Sequence, residues 1–263
     1  MIVFPNAKIN LGLNIVSKRE DGYHNIESCF YPIPWHDSLE VIEAASFTFC
    51  SYGLEIPGDS SSNLCVKAYE LLKADFKIPA VEIHLLKNIP MGAGLGGGSA
   101  DGAFTLKMLN ELFELGLTNL QLEAYALQLG SDCPFFIKNQ SAIARGRGEQ
   151  LEPIDLDLSG YYLAIHNPGI HVSTKDAYTG VTPHQPKSSV SEIIRKPIEN
   201  WKETLKNDFE ASIFPNHPEI EQLKKEMYEV GAVYASMTGS GSTVFGVFED
   251  RIENAEWKSF ELH

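Results

Sequence analysis

The run Pro90-Met91-Gly92-Ala93-Gly94-Leu95-Gly96-Gly97-Gly98-Ser99-Ala100-Asp101 constrains this chain more than any other stretch, because five of its twelve residues are glycine. It follows residues 81–89, where Val81, Ile83 and Leu85 recur at the period of a strand. It precedes residues 103–113, where Leu106, Leu109 and Phe113 recur at helical spacing. The pattern predicts a strand, a glycine loop and a helix, with Ser99 or Asp101 as the helix N-cap. Such a loop turns several backbone N–H groups towards one point at the positive end of a helix dipole. Glycine also lets a bulky anion approach that backbone without a clash. The expectation is a phosphate cradle.

Two common phosphate loops do not fit. Gly92, Gly94 and Gly97 match the spacing GxGxxG, but that fingerprint needs a second parallel strand and an acid about 20 residues on. Here Glu111 and Glu114 lie in or at the end of the predicted helix, and the next element is another helix. A Walker loop would close on Gly-Lys-Ser/Thr, and the protein-kinase signatures His-Arg-Asp and Asp-Phe-Gly are absent as well. Glycine and serine also make flexible linkers. Against that, the run is pinned between two periodic elements and contains Met91 and Leu95. What remains is a phosphate loop of neither common type.

Around this loop the chain alternates between strand and helix signals. Residues 7–15 place Ala7, Ile9, Leu11, Leu13 and Ile15 on one face and Lys8, Asn10, Gly12 and Asn14 on the other. A turn at Asp21-Gly22 leads to a second strand over residues 23–30, and residues 39–42 and 47–52 predict two more. Helices are expected over 63–76 and 118–129, the second opened by a capping box of Thr118 and Gln121. A short apolar run over 135–137 precedes a hairpin around Gly146-Arg147-Gly148, and residues 161–166 form a further strand. Helices follow over 174–180, 197–214 and 218–230, then strands over 233–237 and 244–248 around a second glycine-serine turn, Thr238 to Ser242. Residues 181–191, with two prolines and four serines or threonines, predict a loop. Strands first and mixed elements later suggest an α+β chain of two lobes, 1–155 and 156–263.

The bulk numbers exclude several classes of function. Acidic residues outnumber basic ones by 35 to 21, a formal charge of −14, which argues against general binding to nucleic acid or to an anionic membrane. An anionic small molecule stays open if cations gather locally. No apolar stretch approaches the roughly 20 residues that span a bilayer, and the N-terminus lacks the basic lead of a signal peptide. Cys29, Cys50, Cys65 and Cys133 show no metal-binding spacing, so the chain reads as reduced and cytoplasmic. Nothing in the pattern selects an oligomeric state.

Taken singly, the polar residues have bland explanations. Lys8, Asn10 and Asn14 could be a solvated strand face, and Asp132 a turn or cap residue after Gly130. Tyr23 and His24 could be a surface aromatic and a satisfied histidine. Together with their neighbours they resemble something specific. PNAKINLGLNI near the N-terminus, PMGAGLGGGSADGA in the middle and MTGSGSTVFGVF near the C-terminus are similar to the three ordered motifs of the GHMP small-molecule kinases. Lys8-Ile9-Asn10-Leu11, Asp21-Gly22-Tyr23-His24 and Gly130-Ser131-Asp132-Cys133-Pro134 resemble the branch whose acceptor carries a cytidine diphosphate. The motifs run from Pro5 to Phe248, nearly the whole chain.

The resemblance implies a ribosomal-protein-S5-like N-terminal lobe and a ferredoxin-like C-terminal lobe. It implies transfer of the ATP γ-phosphoryl group to the 2-hydroxyl of 4-diphosphocytidyl-2-C-methyl-D-erythritol, in non-mevalonate isoprenoid precursor biosynthesis. Lys8 and Asp132 match the family's catalytic pair, with Asp132 as base and Lys8 positioning the hydroxyl. Residues Pro90, Met91, Gly92, Ala93, Gly94, Leu95, Gly96, Gly97, Gly98 and Ser99 would hold the ATP phosphates. Asn63 and Lys87 would lie on the adenine side. Asn10, Tyr23, His24, Lys175 and Tyr178 match positions around the cytidine diphosphate end of the acceptor. Mg²⁺ is expected with ATP, without a multi-carboxylate cage, and Ser99 is the candidate nearest to it. Ser62, Ala100 and Gly102 depart from the family pattern, and Gly102 inside a helix costs roughly 1 kcal/mol relative to alanine. The competing expectations are a GHMP kinase for another small alcohol, such as mevalonate or homoserine, and a non-catalytic nucleotide-binding paralogue.

Overall fold

A computed structural model of the chain describes residues 1–262. The strands in chain order begin with β1 (Ile2–Val3), β2 (Asn6–Lys18), β3 (His24–His36) and β4 (Ser38–Glu43). They continue with β5 (Thr48–Gly53), β6 (Val81–Lys87), β7 (Ala142–Gly146) and β8 (Gln150–Pro153). The last four are β9 (Tyr162–His166), β10 (Tyr234–Met237), β11 (Val244–Phe248) and β12 (Lys258–Glu261). The helices are α1 (Leu64–Phe76), α2 (Gly97–Leu112), α3 (Asn119–Leu129), α4 (Phe135–Lys138) and α5 (Thr174–Thr179). After these come α6 (Val190–Ile193), α7 (Trp201–Thr204), α8 (Phe209–Ile213) and α9 (Pro218–Glu229).

The chain separates into two compact units that are discontinuous in sequence. The first comprises Met1–Lys8, Trp35–Met91 and Gly96–Gln140. Its sheet has the order β1-β4-β6-β5, antiparallel except for the parallel pair β5–β6. Val81, Ile83 and Leu85 of β6 and Leu39 and Val41 of β4 turn into the core, as strict alternation requires. Helix α2 buries Ala100, Ala103, Leu106 and Leu109 within this unit. Burying each leucine fully contributes about 1.5–3 kcal/mol.

The second unit comprises Ile9–Pro34, Gly92–Leu95 and Ser141–His263. It holds the antiparallel sheet β10-β11-β9-β12 and, apart from the ends of β2 and β3, the sheet β2-β3-β7-β8. Its core gathers Leu13, Ile15, Phe209, Ile213, Ile220, Met227, Val244 and Phe248. Strand β2 is buried on both faces from Asn6 to Ile15. The polar face read from the sequence is therefore not a solvated face, and each buried polar group on it needs a partner.

Several elements differ from the sequence reading for identifiable reasons. Helix α2 starts at Gly97, about a turn and a half before the apolar periodicity begins, and its N-cap is Gly96 rather than Ser99 or Asp101. The glycine turn packs tightly on the segment that follows β6: a Cβ at Gly97 would lie 2.8 Å from Ile89 Cγ2. The helix expected over 197–214 is broken into a 3₁₀ turn, α7 and α8. Residues 205–208 leave the helix because β2 takes their backbone: Leu13 N–H donates to Lys206 O, and Asp208 N–H to Leu13 O, each at 2.8 Å. Strand β3 runs six residues further than expected; Pro32 and Pro34 fall beyond the Ile26–Phe30 stretch that pairs with β7, where no donor to β7 is needed. Strands β1 and β12 and helix α6 carried too few residues for a periodic signal.

Candidate active site

In the first unit, β2 delivers Lys8 and the turn between α3 and α4 delivers Asp132. Gly130 ends α3, Cys133 N–H closes the turn onto Gly130 O at 3.2 Å, and α4 begins after Pro134. Lys8 Nζ lies 3.5 Å from Asp132 Oδ2; the lysine side chain is 4% exposed and the aspartate 30%. A buried ammonium thus faces a carboxylate that still reaches solvent. Burial pushes the Lys8 ammonium below its ordinary range, and the charge of Asp132 offsets part of that. The pair supplies one proton acceptor and one cation at a single point, which is what an alcohol needs to become a nucleophile.

The glycine loop leads into the same unit. Gly96 has φ +70°, a left-handed conformation that favours glycine, and a Cβ there would lie 3.2 Å from Lys8 Cε and 3.1 Å from Phe136 Cζ. No side chain caps the N-terminus of α2, a helix of sixteen residues. Its first-turn N–H groups are those an anion would meet, with the helix dipole behind them. Ala93 and Leu95 are buried and anchor the loop, whereas Met91 and Gly92 are exposed and Pro90, Gly94, Gly98 and Ser99 half-buried.

Lys87 ends β6, the strand that enters the glycine loop. Its side chain is fully buried, and its ammonium bonds to Asp37 Oδ2 and, at 2.8 Å, to Asp101 Oδ2. Asp37 Oδ1 also accepts the N–H groups of Asn88 (2.6 Å) and Ile89 (2.9 Å). The triad ties the strand that enters the glycine loop to the helix that leaves it, so this lysine supports the loop rather than facing a ligand with its side chain. Burial disfavours the Lys87 ammonium, but Asp101 and Asp37 outweigh it and hold the group above its usual range. Burial, against the pull of Lys87, pushes Asp101 up to about 7. Asn63 is the N-cap of α1, its Oδ1 accepting Cys65 N–H at 2.9 Å.

The second unit holds the residues expected at the cytidine diphosphate end. Asn10 Nδ2 donates to Ser28 Oγ at 2.9 Å, and Ser28 in turn donates to Gly12 O at 2.6 Å. Thr238 Oγ1 accepts Asn10 N–H at 3.0 Å and donates to Gly94 O at 3.0 Å, with Asn10 Oδ1 at 3.2 Å. The backbone of Gly94 (φ +78°) lies so close to Thr238 that a Cβ would run into the Thr238 carbonyl. His24 and Tyr178 are stacked, centroids 4.8 Å apart and planes 13° from parallel, and Phe209 meets Tyr178 edge-on. Desolvation and the nearby Lys18 push the His24 imidazole below its ordinary range. Tyr23 is exposed with the Arg147 guanidinium 5.0 Å over its ring, and Lys175 stands exposed on α5. The sequence reading missed Ser28, Arg147 and Asn207. Of these, only Asn207-Asp208, two helix-disfavouring residues inside a presumed helix, left a signal.

Among the described residues no three His, Cys, Asp or Glu side chains are grouped to hold a metal. Ser99, the candidate donor to a divalent ion, lies half-buried in the first turn of α2.

The chain is similar to known proteins over nearly its whole length. The family model for the GHMP kinases N terminal domain matches residues 63–140, and that for the GHMP kinases C terminal domain matches residues 189–256. A 4-diphosphocytidyl-2-C-methyl-D-erythritol kinase of Bacteroides fragilis is 53% identical over 265 residues, covering 98% of this chain and 97% of the relative. The chain belongs to this kinase family. A member from Parabacteroides distasonis is 55% identical over 249 residues, covering 95% of this chain and 92% of its own. The crystal structure of a 4-(cytidine 5'-diphospho)-2C-methyl-D-erythritol kinase superposes with a TM-score of 0.81 at 35% identity, covering 94% of this chain and 90% of the other. The α+β architecture is thus that of the GHMP kinases, and the chain is an ATP-dependent kinase by descent.

Proposed function

We propose that this chain transfers the γ-phosphoryl group of ATP to the 2-hydroxyl of 4-diphosphocytidyl-2-C-methyl-D-erythritol, in the cytoplasm, as a step of non-mevalonate isoprenoid precursor synthesis. The observation that carries this reading is the end-to-end identity of about half of all residues with kinases of that name, 53% over 98% of this chain for one of them. The Lys8–Asp132 pair at 3.5 Å supports it chemically. Among the described residues no helix is long and apolar enough to cross a membrane. The excess of 14 negative charges makes a nucleic-acid or anionic-membrane partner unfavourable.

In this reading Asp132 accepts the proton of the acceptor hydroxyl as its oxygen bonds to the γ-phosphorus. The bond from that phosphorus to the bridging oxygen breaks, and ADP leaves. Lys8 orients the hydroxyl and balances negative charge spreading over the transferred group, a task of positioning and electrostatics. The N–H groups at the start of α2 and the loop from Pro90 to Ser99 hold the phosphates. Mg²⁺ supplies charge neutralisation on them when bound. Tyr23, His24, Tyr178, Asn10 and Lys175 take the cytidine diphosphate of the acceptor, through aromatic faces and polar edges suited to a pyrimidine. The expected lobes, 1–155 and 156–263, each span one family-model match, although residues 9–34 and 141–155 belong to the second compact unit.

Asp132→Asn should keep ATP binding while kcat falls about 10²–10⁴-fold, the usual worth of a positioned base. The checks are steady-state kinetics and nucleotide titration. Near-normal turnover in that variant would remove Asp132 from the base role.

A further inference from the structure

One short segment, residues 206–210, holds two pieces of the second unit that the proposed site depends on. Towards β2, Leu13 N–H donates to Lys206 O and Asp208 N–H to Leu13 O, and Asp208 Oδ2 accepts Ile15 N–H at 2.7 Å. Towards the glycine-serine turn, Asn207 Nδ2 donates to Met237 O at 2.7 Å and to Gly239 O at 2.9 Å. Glu210 Oε1 accepts Met237 N–H at 3.0 Å and Ser236 Oγ–H at 3.1 Å, with Lys224 on its other oxygen at 2.6 Å. The carbonyls that Asn207 grips flank Thr238 on either side. Thr238 in turn carries the hydroxyl that touches Asn10 and Gly94.

We infer that Asn207 is a positioning residue that acts through Thr238, setting Asn10 for the acceptor and Gly94 for the nucleotide at once. Both amide hydrogens are committed to the turn and its oxygen to Phe209 N–H, so it acts on neither ligand directly. Its two side-chain donors are spent on the turn, while its Oδ1 accepts Phe209 N–H at 3.0 Å and starts α8. The two halves of one amide therefore do separable jobs: the oxygen serves the helix, the nitrogen the turn. A mere helix-starting role would need only the oxygen. Two buried hydrogen bonds to successive alternate carbonyls leave the residue between them little freedom. That fixes a threonine hydroxyl where a small rotation would release both of its contacts.

This inference rests on the proposed function, on its acceptor site for Asn10 and on its phosphate loop for Gly94. Asn207→Asp separates the two jobs, because aspartate keeps an acceptor for Phe209 N–H but turns an oxygen towards the two carbonyls. The expected result is a folded protein whose Kd for a non-hydrolysable ATP analogue and whose KM for the acceptor both rise on the order of tenfold, the scale of one or two lost buried hydrogen bonds. The kcat should change less than about threefold, since the variant leaves Lys8 and Asp132 in place. Thr238→Val should weaken both substrates similarly and Thr238→Ser should not. The double variant Asn207→Asp, Thr238→Val should be no worse than the poorer single one, since both remove the same bridge. Unchanged Kd and KM in Asn207→Asp, or additive losses in the double variant, would overturn the inference. So would a fall in melting temperature with both constants at the wild-type value. If the wild-type chain itself failed to phosphorylate the acceptor, the proposed function would fall, and the analogue Kd would still decide the nucleotide half.

Discussion

Lys8 and Lys87 are both buried ammonium groups, and their neighbours give them opposite work. Lys8 has one carboxylate, partly open to solvent, and is held below its ordinary range; Lys87 has two buried carboxylates and is held above it. The first can meet a reactant, and the second is sealed under the glycine turn. The family resemblance implied a ligand contact for both. Only the burial and the partners, which come from distant strands and helices, separate them. Asp101 shows the consequence. Its Oδ1 is buried without a hydrogen-bond partner, and its folded pKa of about 7 stands above the ordinary 3.8. The groups facing it are Lys87, Asp37 and the thiol of Cys65. Between pH 3.8 and about 7 the unfolded chain has lost this proton while the folded chain retains it, so stability is lost as pH rises through that window. Asp101→Asn lacks the titrating proton. Its melting temperature relative to wild type should therefore climb from pH 4 to pH 7 and level off above. A difference that is flat across that range would show that Asp101 does not titrate there.

At the level of elements, the glycine run shows why a pattern can reveal chemistry before it reveals boundaries. Strand, loop and helix were legible in order because β6 and the later part of α2 are strongly periodic. The start of α2 was not, since glycine weakens any helix prior and the compensation is packing against Ile89. The break in the presumed helix over 197–214 was illegible for a related reason: β2, nearly 200 residues away in sequence, takes its backbone hydrogen bonds. Gly96 carries a prediction at this scale. Its left-handed φ of +70° costs a non-glycine residue roughly 1–2 kcal/mol, and a methyl group there would press on Lys8. Gly96→Ala should lower stability by about that amount and lower kcat as well, because the side chain displaced is the proposed catalytic cation. Thermal melts and kinetics check this together; a variant with wild-type kcat would mean that Lys8 tolerates the added methyl.

Over the whole molecule, the acidic balance and the local cations act on different scales. A formal charge of −14 repels polyanions at long range, while in the proposed reading a small phosphorylated ligand meets the α2 N-terminus and Lys8 at short range. The three spaced motifs made the family legible in the sequence because each is local. The clamp of Asn207 and the Lys87 triad were hidden, since each joins segments far apart in the chain. The GHMP fold is shared with kinases of quite different alcohols, so acceptor choice separates its members. In the proposed reading Tyr23, His24 and Tyr178 serve an acceptor that bears a base. The most direct measurement is kcat/KM from ADP release with 4-diphosphocytidyl-2-C-methyl-D-erythritol, mevalonate and homoserine in parallel. The account predicts turnover with the cytidine diphosphate acceptor at least about a thousandfold above the other two, the discrimination that sites built around a substrate's polar groups can reach. Preferred turnover of mevalonate or homoserine would contradict it.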